Sequence, residues 1–211
     1  MTIQRLRGFE IVSKYADAGL TKPARKTKLA AGYDIAAAED VLIQPYSALT
    51  AAIFGRIRDE KQKVIKECEA MFDAGSKDEA AIAYSKAMTM HLDEIKAVCK
   101  KYKLKTTLIP TGIKAYMQDD EVLKLFIRSS TPLNNWIIMA NGTGIIDADY
   151  YNNVDNEGNI FFQVINLSPV PLVIQKGEFI GQGIFEKFLV TDDDENQFKE
   201  LRKGGHGSTA K

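Results

Sequence analysis

From residue 104 to residue 188 the chain is a succession of short segments rich in β-branched and aromatic residues. Proline, glycine and small polar residues separate these segments. This pattern is typical of strands joined by turns. It predicts an all-β barrel or sandwich, and hence a mainly β fold. The predicted strands are 104–116, 122–127, 136–139, 160–165 and 172–188, with two earlier candidates at 9–13 and 40–44.

A different pattern occupies residues 47–103. Leu49, Ile53 and Ile57 begin a series of apolar residues at helical spacing, with charged residues between them. Gly75 and the following serine interrupt the series, and a second amphipathic run opens at Lys77. Two helices joined by a tight turn form an antiparallel helical hairpin. We therefore predict a β-barrel, residues 1–46 and 104–190, into which a helical hairpin, residues 47–103, is inserted.

The last segment, residues 191–211, begins with an acidic stretch and ends in a glycine-rich sequence. Such a composition cannot pack on its own, so we predict a flexible linker followed by a lid that a ligand orders. The helical insertion has two open interpretations. It is either a tolerated surface insertion, since lengthening a loop costs little entropy, or a functional element, namely a packing lid, an oligomer contact or a surface that binds a protein partner.

Charge and cysteine content exclude several classes of protein. Lys+Arg and Asp+Glu both number 28, so the formal net charge is zero, which argues against duplex DNA as a partner. No signal peptide or membrane span is visible, and we expect a cytoplasmic protein with no membrane partner. Cys68 and Cys99 lack metal-ligand spacing, and their positions on the predicted hairpin are too far apart for a disulfide.

Five segments carry chemically suggestive residues. The third of them, residues 141–150, places Asp147 after a short strand and Tyr150 three residues later. A predicted hairpin would hold the acid rigidly at its mouth, with the aromatic ring facing the same cavity. A general base beside a flat binding surface would result. The other four segments are residues 31–35, residues 128–130, residues 177–185 and the glycine-rich tail, residues 202–209.

In this order the five segments resemble the motifs of the trimeric dUTPase family, whose members hydrolyse dUTP to dUMP and pyrophosphate. The resemblance covers residues 5–45 and 104–209 and leaves the helical insertion outside. It implies a jelly-roll-like β-barrel and a homotrimer with shared active sites. It also implies dUTP as substrate and Mg²⁺ as cofactor.

The resemblance also implies roles for the residues that contact phosphate and metal. Asp147 would activate the attacking water, and Asp34 would help to hold Mg²⁺ through water, because Mg²⁺ keeps several waters and takes few protein ligands. Arg128, Ser129 and Ser130 would bind the α and β phosphates through charge-assisted hydrogen bonds. Gln182 would hold the α-phosphate and the water shell of the metal. Its neighbours Gly181 and Gly183 are consistent with a close backbone approach to the ligand.

The nucleoside and the γ-phosphate would be bound by the remaining residues. Tyr150 would pack against the deoxyribose and exclude a 2′-hydroxyl, while Asn141 and the backbone around Gly144 would hydrogen-bond the uracil. In the tail, Arg202 would reach the γ-phosphate and His206 would stack on the base. Further amides and hydroxyls would come from Gly205, Gly207, Ser208 and Thr209. The ordinary alternatives are that Asp147 is a turn residue, Arg128 a surface arginine and Gln182 a polar strand residue. For the tail, the alternative is a disordered terminus.

The chain departs from the family pattern at three places. Arg202 precedes His206 by four residues where five are usual, which puts its role in doubt. Ile127 stands where a proline often precedes the arginine, and no lysine follows within residues 131–136, so one phosphate contact is missing or supplied elsewhere, for example by Lys203. The third departure is the helical insertion, whose presence also suggests a phage origin.

Two rival functions follow from the same residues. A dCTP deaminase shares the fold and the Arg-Ser-Ser segment, but it needs a glutamate where this chain has Gln163, and glutamine cannot exchange protons. The deaminases also carry an Asp-Pro-Gly turn where this chain has Asp147-Ala-Asp-Tyr150. The second rival is a regulatory protein that binds dUTP and acts on a partner through residues 47–103.

Overall fold

The computed structural model describes residues 5–88 and 106–194. These residues belong to two compact units. One comprises Met1–Ile43 together with Thr106–Lys211, and the other comprises Gln44–Lys105.

Eleven strands, all antiparallel in their pairing, build the described part of the first unit. They are β1 (Gly8–Ile11), β2 (Tyr33–Ala36), β3 (Val41–Ile43), β4 (Thr107–Pro110), β5 (Ile113–Tyr116), β6 (Glu121–Ile127), β7 (Ile137–Met139), β8 (Gly144–Asp147), β9 (Phe161–Asn166), β10 (Leu172–Ile174) and β11 (Phe179–Lys187). The strand orders within the sheets are β2-β11-β6-β8, β4-β9-β7, β1-β5 and β3-β10. The predicted mainly β fold is thereby confirmed.

The core lies between these sheets and follows from the alternation of side chains along each strand. In β9, Phe162 and Val164 face inward and are almost completely buried, whereas Gln163 between them is partly exposed. Ile35 of β2 and Leu123 of β6 join the same core with no exposed surface. Burying each such side chain stabilises the fold by about 1.5–3 kcal/mol, and this packing holds the strand ends that carry polar residues.

The second unit contains the helices α1 (Tyr46–Asp73) and α2 (Lys77–Met88). Gly75 has a positive φ of 95° in the turn between them, where the sequence predicts the interruption. Cys68 and Ala80 are both 4% exposed, so Cys68 is packed as a small apolar residue. The remainder of the predicted second helix, including Cys99, lies outside the described residues. No described helix is long and apolar enough to cross a membrane.

Three strand predictions need correction. The predicted strand 104–116 is two strands, because Gly112 has a φ of 67° and turns the chain between β4 and β5. The predicted strand 172–188 divides in the same way at Gly177, whose φ is 84°. The predicted hairpin around residues 141–150 is wrong as well. Its two strands are not paired with each other, because β7 pairs with β9 and β8 pairs with β6, so the turn passes from one sheet to another.

Candidate active site

Three strands of the largest sheet bring together residues from three of the five segments. Asp34 of β2 lies directly opposite Gln182 of β11, and Gln182 lies opposite Phe126 of β6. Arg128 follows the end of β6, where its backbone N–H donates to the carbonyl of Ile180 at 3.4 Å. Its Nε lies 3.8 Å from Oδ2 of Asp34. An acid, an amide and a guanidinium that are far apart in sequence are therefore neighbours. We call Asp34, Arg128 and Gln182 the phosphate-side cluster.

Asp34 is unusual for a carboxylate on the outer face of a sheet because it is only 8% exposed. Its Oδ2 is buried and accepts no hydrogen bond within the described residues. The 3.8 Å separation from Arg128 is too long for a hydrogen bond, so the contact is an ion pair only. A buried oxygen without a donor is costly, and a bound water or cation would relieve that cost.

Glycine positions the side chain of Gln182. A Cβ added to Gly32 would lie 2.1 Å from Oε1 of Gln182, so the amide occupies the space that a side chain would fill. The glycines on either side of Gln182 make room for core side chains, and not for the predicted close approach of a ligand. A Cβ at Gly181 would lie 2.1 Å from the ring of the buried Phe162, and one at Gly183 would lie 2.9 Å from Leu123. Both glycines are required by the core.

Ser129 and Ser130 lie at the start of a short helix, α3 (Ser130–Asn135), directly after Arg128. Both serines are exposed, and the side chain of Ser129 makes no capping hydrogen bond to this helix. The N–H of Thr131 donates to the carbonyl of Arg128 at 3.0 Å and fixes the turn. The segment thus presents its two hydroxyls beside the phosphate-side cluster.

Asp147 is the last residue of β8, where it lies opposite Val122 of β6. Its side chain is exposed and borders a groove of about 760 Å³. Four further acids line this groove together with apolar residues, and one of them, Glu121, is paired with Arg7. The hydrogen bond from Arg7 lowers the pKa of Glu121. The full lining is Met117, Asp119, Glu121, Asp147, Ala148, Asp149, Phe188, Val190 and Asp194.

Tyr150 lies in a short 3₁₀ helix that follows Asp147 and is only 3% exposed. Its hydroxyl donates to the carbonyl of Asn159 at 2.9 Å and accepts from Nδ2 of Asn156 at 2.8 Å. The side chain of Asn153 donates to the carbonyl of Tyr150 at 2.8 Å. The ring is therefore held rigidly within the loop and leaves little of its surface for a sugar. These three asparagines belong to no catalytic motif, so sequence reasoning missed this support.

Asn141 is exposed in the turn between β7 and β8, and its carbonyl accepts from the N–H of Thr143 at 2.7 Å. Gly144 is buried, and a Cβ there would lie 3.0 Å from Leu125. The predicted tail residues Arg202, His206, Gly207, Ser208 and Thr209, with Gly205, lie outside the described residues.

Asp147 and the phosphate-side cluster are at different ends of the sheet within one protomer. Asp147 is opposite Val122, whereas Arg128 follows six residues later along the same strand direction. At about 3.4 Å per residue, this offset is roughly 20 Å. Gln182 lies opposite Phe126, four residues from Val122, which gives an offset of roughly 14 Å before the spacing between strands is added. One protomer therefore does not bring Asp147 close to this cluster.

Gln163 bears on the rival deaminase chemistry. Its Nε2 donates to Oγ1 of Thr106 at 2.7 Å, and its backbone carbonyl accepts from the N–H of Ala140 at 2.8 Å. These contacts tie β9 to neighbouring segments. The geometry therefore supports a structural rather than a proton-transferring residue at this position.

One described lysine near the cluster was not singled out from the sequence. Nζ of Lys26 lies 4.0 Å from the centroid of the Phe179 ring, and Cζ of Arg128 lies 5.5 Å from the same centroid. Residues 22–28 are visibly basic in the sequence, but the sequence does not indicate which strand this loop contacts.

Comparison with known proteins identifies one family. A family model described as dUTPase matches residues 82–210. The deoxyuridine 5′-triphosphate nucleotidohydrolase of Lactococcus lactis subsp. lactis (strain IL1403) is 40% identical over 205 residues, covering 97% of this chain and 98% of that protein. Because that alignment is nearly complete, it includes the helical unit as well as the strands.

Solved structures agree with this result. The crystal structure of a dUTPase from Streptococcus mutans has a TM-score of 0.58 and 32% sequence identity, with 88% of this chain and 98% of that chain covered. A mutant dUTPase from phage phi11 of S. aureus, described with a structural Mg(II) ion, has a TM-score of 0.50 and 15% identity, with 93% and 98% covered. The second likeness concerns the fold alone.

Proposed function

This chain belongs to the dUTPase family, and we propose that it hydrolyses dUTP to dUMP and pyrophosphate at a site shared between protomers. The observation that carries the proposal is the convergence of Asp34, Arg128 and Gln182 on one face of the largest sheet. Packing of the hydrophobic core does not require these three polar residues to be neighbours. Their proximity is expected if they bind a phosphorylated ligand and its counter-ion.

The phosphate-side cluster binds the triphosphate. The guanidinium of Arg128 and the hydroxyls of Ser129 and Ser130 donate to phosphate oxygens, and the amide of Gln182 donates to the α-phosphate. Arg128 is already oriented by the carboxylate of Asp34, so less conformational entropy is lost when the ligand binds.

Asp34 fits an indirect role in binding Mg²⁺. Its buried Oδ2 has no donor within the described residues and can accept a hydrogen bond from a metal-bound water. In the described ranges 5–88 and 106–194, no three acids, histidines or cysteines form a metal-binding group, so the other ligands would be phosphate oxygens and water. When bound, Mg²⁺ neutralises charge that develops on the phosphates.

Asp147 acts as the general base. One of its carboxylate oxygens takes a proton from a water molecule, whose oxygen forms a bond to the α-phosphorus as the bond from that phosphorus to the pyrophosphate oxygen breaks. The rigid loop around Tyr150 keeps this acid in place, and the small part of the ring that reaches the surface would contact the deoxyribose. Asn141 and the backbone near Gly144 recognise the uracil.

The separation of roughly 20 Å between Asp147 and Arg128 supports a homotrimer in which neighbouring protomers complete each other's sites. Charge supports the same arrangement. The groove beside Asp147 is lined by acids and would repel a triphosphate that no cation accompanied, so the phosphates need the basic cluster of another protomer. Exposed apolar side chains on the β unit, including the cross-strand pair Leu42 and Val173 at 55% and 56% exposure, offer surface for such contacts.

The glycine-rich tail would close each site. Arg202 would contact the γ-phosphate and His206 the base, with amides and hydroxyls from Gly207, Ser208 and Thr209 around the phosphates. Closure of this kind excludes water that would otherwise compete with the positioned nucleophile.

The test is release of pyrophosphate from dUTP, dCTP, dTTP and UTP in the presence of Mg²⁺, with ammonia followed in parallel. We expect pyrophosphate from dUTP alone. Asp147→Asn should lower kcat about 10²- to 10⁴-fold, the usual contribution of a general base, and leave binding of a non-hydrolysable dUTP analogue intact. Asp149→Asn is the matched control, since this exposed acid borders the same groove. Ammonia from dCTP without pyrophosphate would overturn the proposal, as would full activity of Asp147→Asn.

Binding of a protein partner by residues 47–103 stays a prediction. The described part of this unit exposes aromatic side chains, among them Phe54 and Phe72 at 60% and 54%. A chain lacking residues 47–103 tests the idea, because unchanged assembly, hydrolysis and protein binding would contradict it.

A further inference from the structure

We propose that Lys26 binds the leaving pyrophosphate portion of the substrate, as a phosphate ligand additional to the phosphate-side cluster. This inference rests on the proposed function for the identity of the ligand. It rests on the structure for the position of the lysine.

The basic loop that contains Lys26 is fixed against the strand that carries Asp34. The N–H of Asp34 donates to the carbonyl of Ala24 at 3.0 Å, and these two residues form an isolated antiparallel bridge. Within the loop, Nη1 of Arg25 donates to the carbonyls of Lys28 and Ala30, both at 3.2 Å. Arg25 thus stabilises the loop itself. Lys26, the next residue, directs its ammonium group to the aromatic ring of Phe179.

Phe179 holds two cations. Nζ of Lys26 is 4.0 Å from the ring centroid and Cζ of Arg128 is 5.5 Å from it, so the two groups are separated by no more than the sum of these distances. Cation–π contact stabilises each of them but does not neutralise either. An anion that contacted both cations would gain an attractive interaction with each of them.

The local charge balance leaves room for such an anion. Asp34 pairs with Arg128 and supplies one negative charge to the pair of cations. Among residues 5–88 and 106–194, no acid forms an ion pair with Lys26. One positive charge is therefore uncompensated within the described residues, and Arg128, the other cation on the Phe179 ring, contacts a buried oxygen of Asp34 that lacks a hydrogen-bond donor. A polyphosphate accompanied by a cation satisfies both groups.

The position of Phe179 along β11 indicates which phosphate Lys26 would contact. Phe179 precedes Gln182 by three residues on that strand, and because the register shifts between Phe179 and Gly181 the separation is roughly 7 to 10 Å. If Gln182 holds the α-phosphate, the lysine over Phe179 lies too far along to share that group. Because Arg128, assigned to the α and β phosphates, contacts the same ring, we assign Lys26 to the phosphates beyond the α-phosphate.

Lys26→Met tests this assignment because methionine keeps an unbranched apolar stem on the Phe179 ring and removes only the charge. We expect KM for dUTP to rise about tenfold or more, the loss typical of one hydrogen bond to a charged group, and inhibition by inorganic tripolyphosphate to weaken equally. Binding of dUMP should be unchanged, and Lys26→Arg should restore most of the lost affinity. Lys22→Met, an equally exposed lysine near the start of the same loop, should behave like the wild type.

Two results would overturn the inference. One is a Lys26→Met variant that matches Lys22→Met in KM and in tripolyphosphate inhibition, and the other is an equal loss of affinity for dUMP. The proposed function fails separately, if the wild type does not hydrolyse dUTP. In that case direct binding of tripolyphosphate to the wild type and to Lys26→Met still decides whether this lysine binds phosphate.

Discussion

Asp147 and Arg128 lie at opposite ends of strand β6. Asp147 is opposite Val122, near the start of that strand, and Arg128 directly follows its last residue. A general base must come within hydrogen-bond distance of the water that attacks the phosphorus, directly or through one further water. The length of β6 prevents this within a single protomer. We therefore infer that catalysis by this chain requires the assembly of more than one protomer.

Gly32→Ala should impair catalysis while leaving the fold intact. The new Cβ would lie 2.1 Å from Oε1 of Gln182, which is the movable end of a flexible side chain. The amide can rotate away at little cost in folding free energy but then no longer faces the α-phosphate. We expect kcat/KM for dUTP to fall about 10- to 100-fold, as displacements near 1 Å can cause. A melting temperature close to that of the wild type should accompany this loss. Unchanged kinetics would contradict the placement of Gln182.

Gly181→Ala should have the opposite effect, a loss of stability. Its Cβ would lie 2.1 Å from the ring of Phe162 and 2.7 Å from the carbonyl oxygen of Phe126, and neither the buried ring nor the backbone can move freely. Overpacking of this kind costs about 1–3 kcal/mol in unfolding free energy. Thermal unfolding should show a midpoint several degrees lower than that of Gly32→Ala, which carries the same substitution in the segment that leads into the same sheet. Equal midpoints would show that the core around Phe162 is looser than described.

These two glycines also show what the sequence could and could not predict. Both belong to segments that the family resemblance identifies, and the positions of Asp34 and Gln182 beside each other agree with that resemblance. The sequence assigned Gly181 to ligand approach, because a glycine beside a polar residue gives no indication of which face is crowded. Only the pairing of β11 with β6 and the position of Phe162 explain it.

Strand partners were the other part that the sequence did not predict. Alternation and breakers located most strands, but they carry no information about which strand pairs with which, and the turn at Gly142 was taken for a hairpin. β2 (Tyr33–Ala36) was missed as a strand because two of its four residues, Asp34 and Ala36, are of types that are depleted in strands. The burial of Tyr150 depends on Asn156 and Asn159, which are close to it only through the shape of the loop.

The loop after Asp147 should make the stability of the β unit sensitive to acid. Oε1 of Glu157 accepts a hydrogen bond from the buried Lys114 at 2.6 Å, and this bond lowers the pKa of Glu157 below its ordinary value of 4.5. A carboxylate with a lowered pKa in the folded state contributes stability above its unfolded pKa. That contribution is lost as the pH falls through the folded pKa.

Glu157→Gln should therefore lower the melting temperature at neutral pH and reduce its further decrease on acidification below pH 4.5. Melting curves of the two proteins should converge in acid. Asp17→Asn, which removes an exposed carboxylate elsewhere in the same unit, should keep the steeper dependence of the wild type. If the melting temperatures of Glu157→Gln and the wild type fell in parallel with decreasing pH, the contact between Lys114 and Glu157 would not contribute to acid sensitivity.

Activity of mixed oligomers tests the shared site most directly. Asp147→Asn and Arg128→Gln, each inactive alone, are produced together with different tags, and the oligomers that carry both tags are purified. If Asp147 of one protomer serves the phosphate-side cluster of another, roughly one third of the sites in a doubly tagged trimer are intact. The account predicts that dUTP hydrolysis returns in the doubly tagged oligomers. Doubly tagged oligomers that remain as inactive as either parent would contradict it.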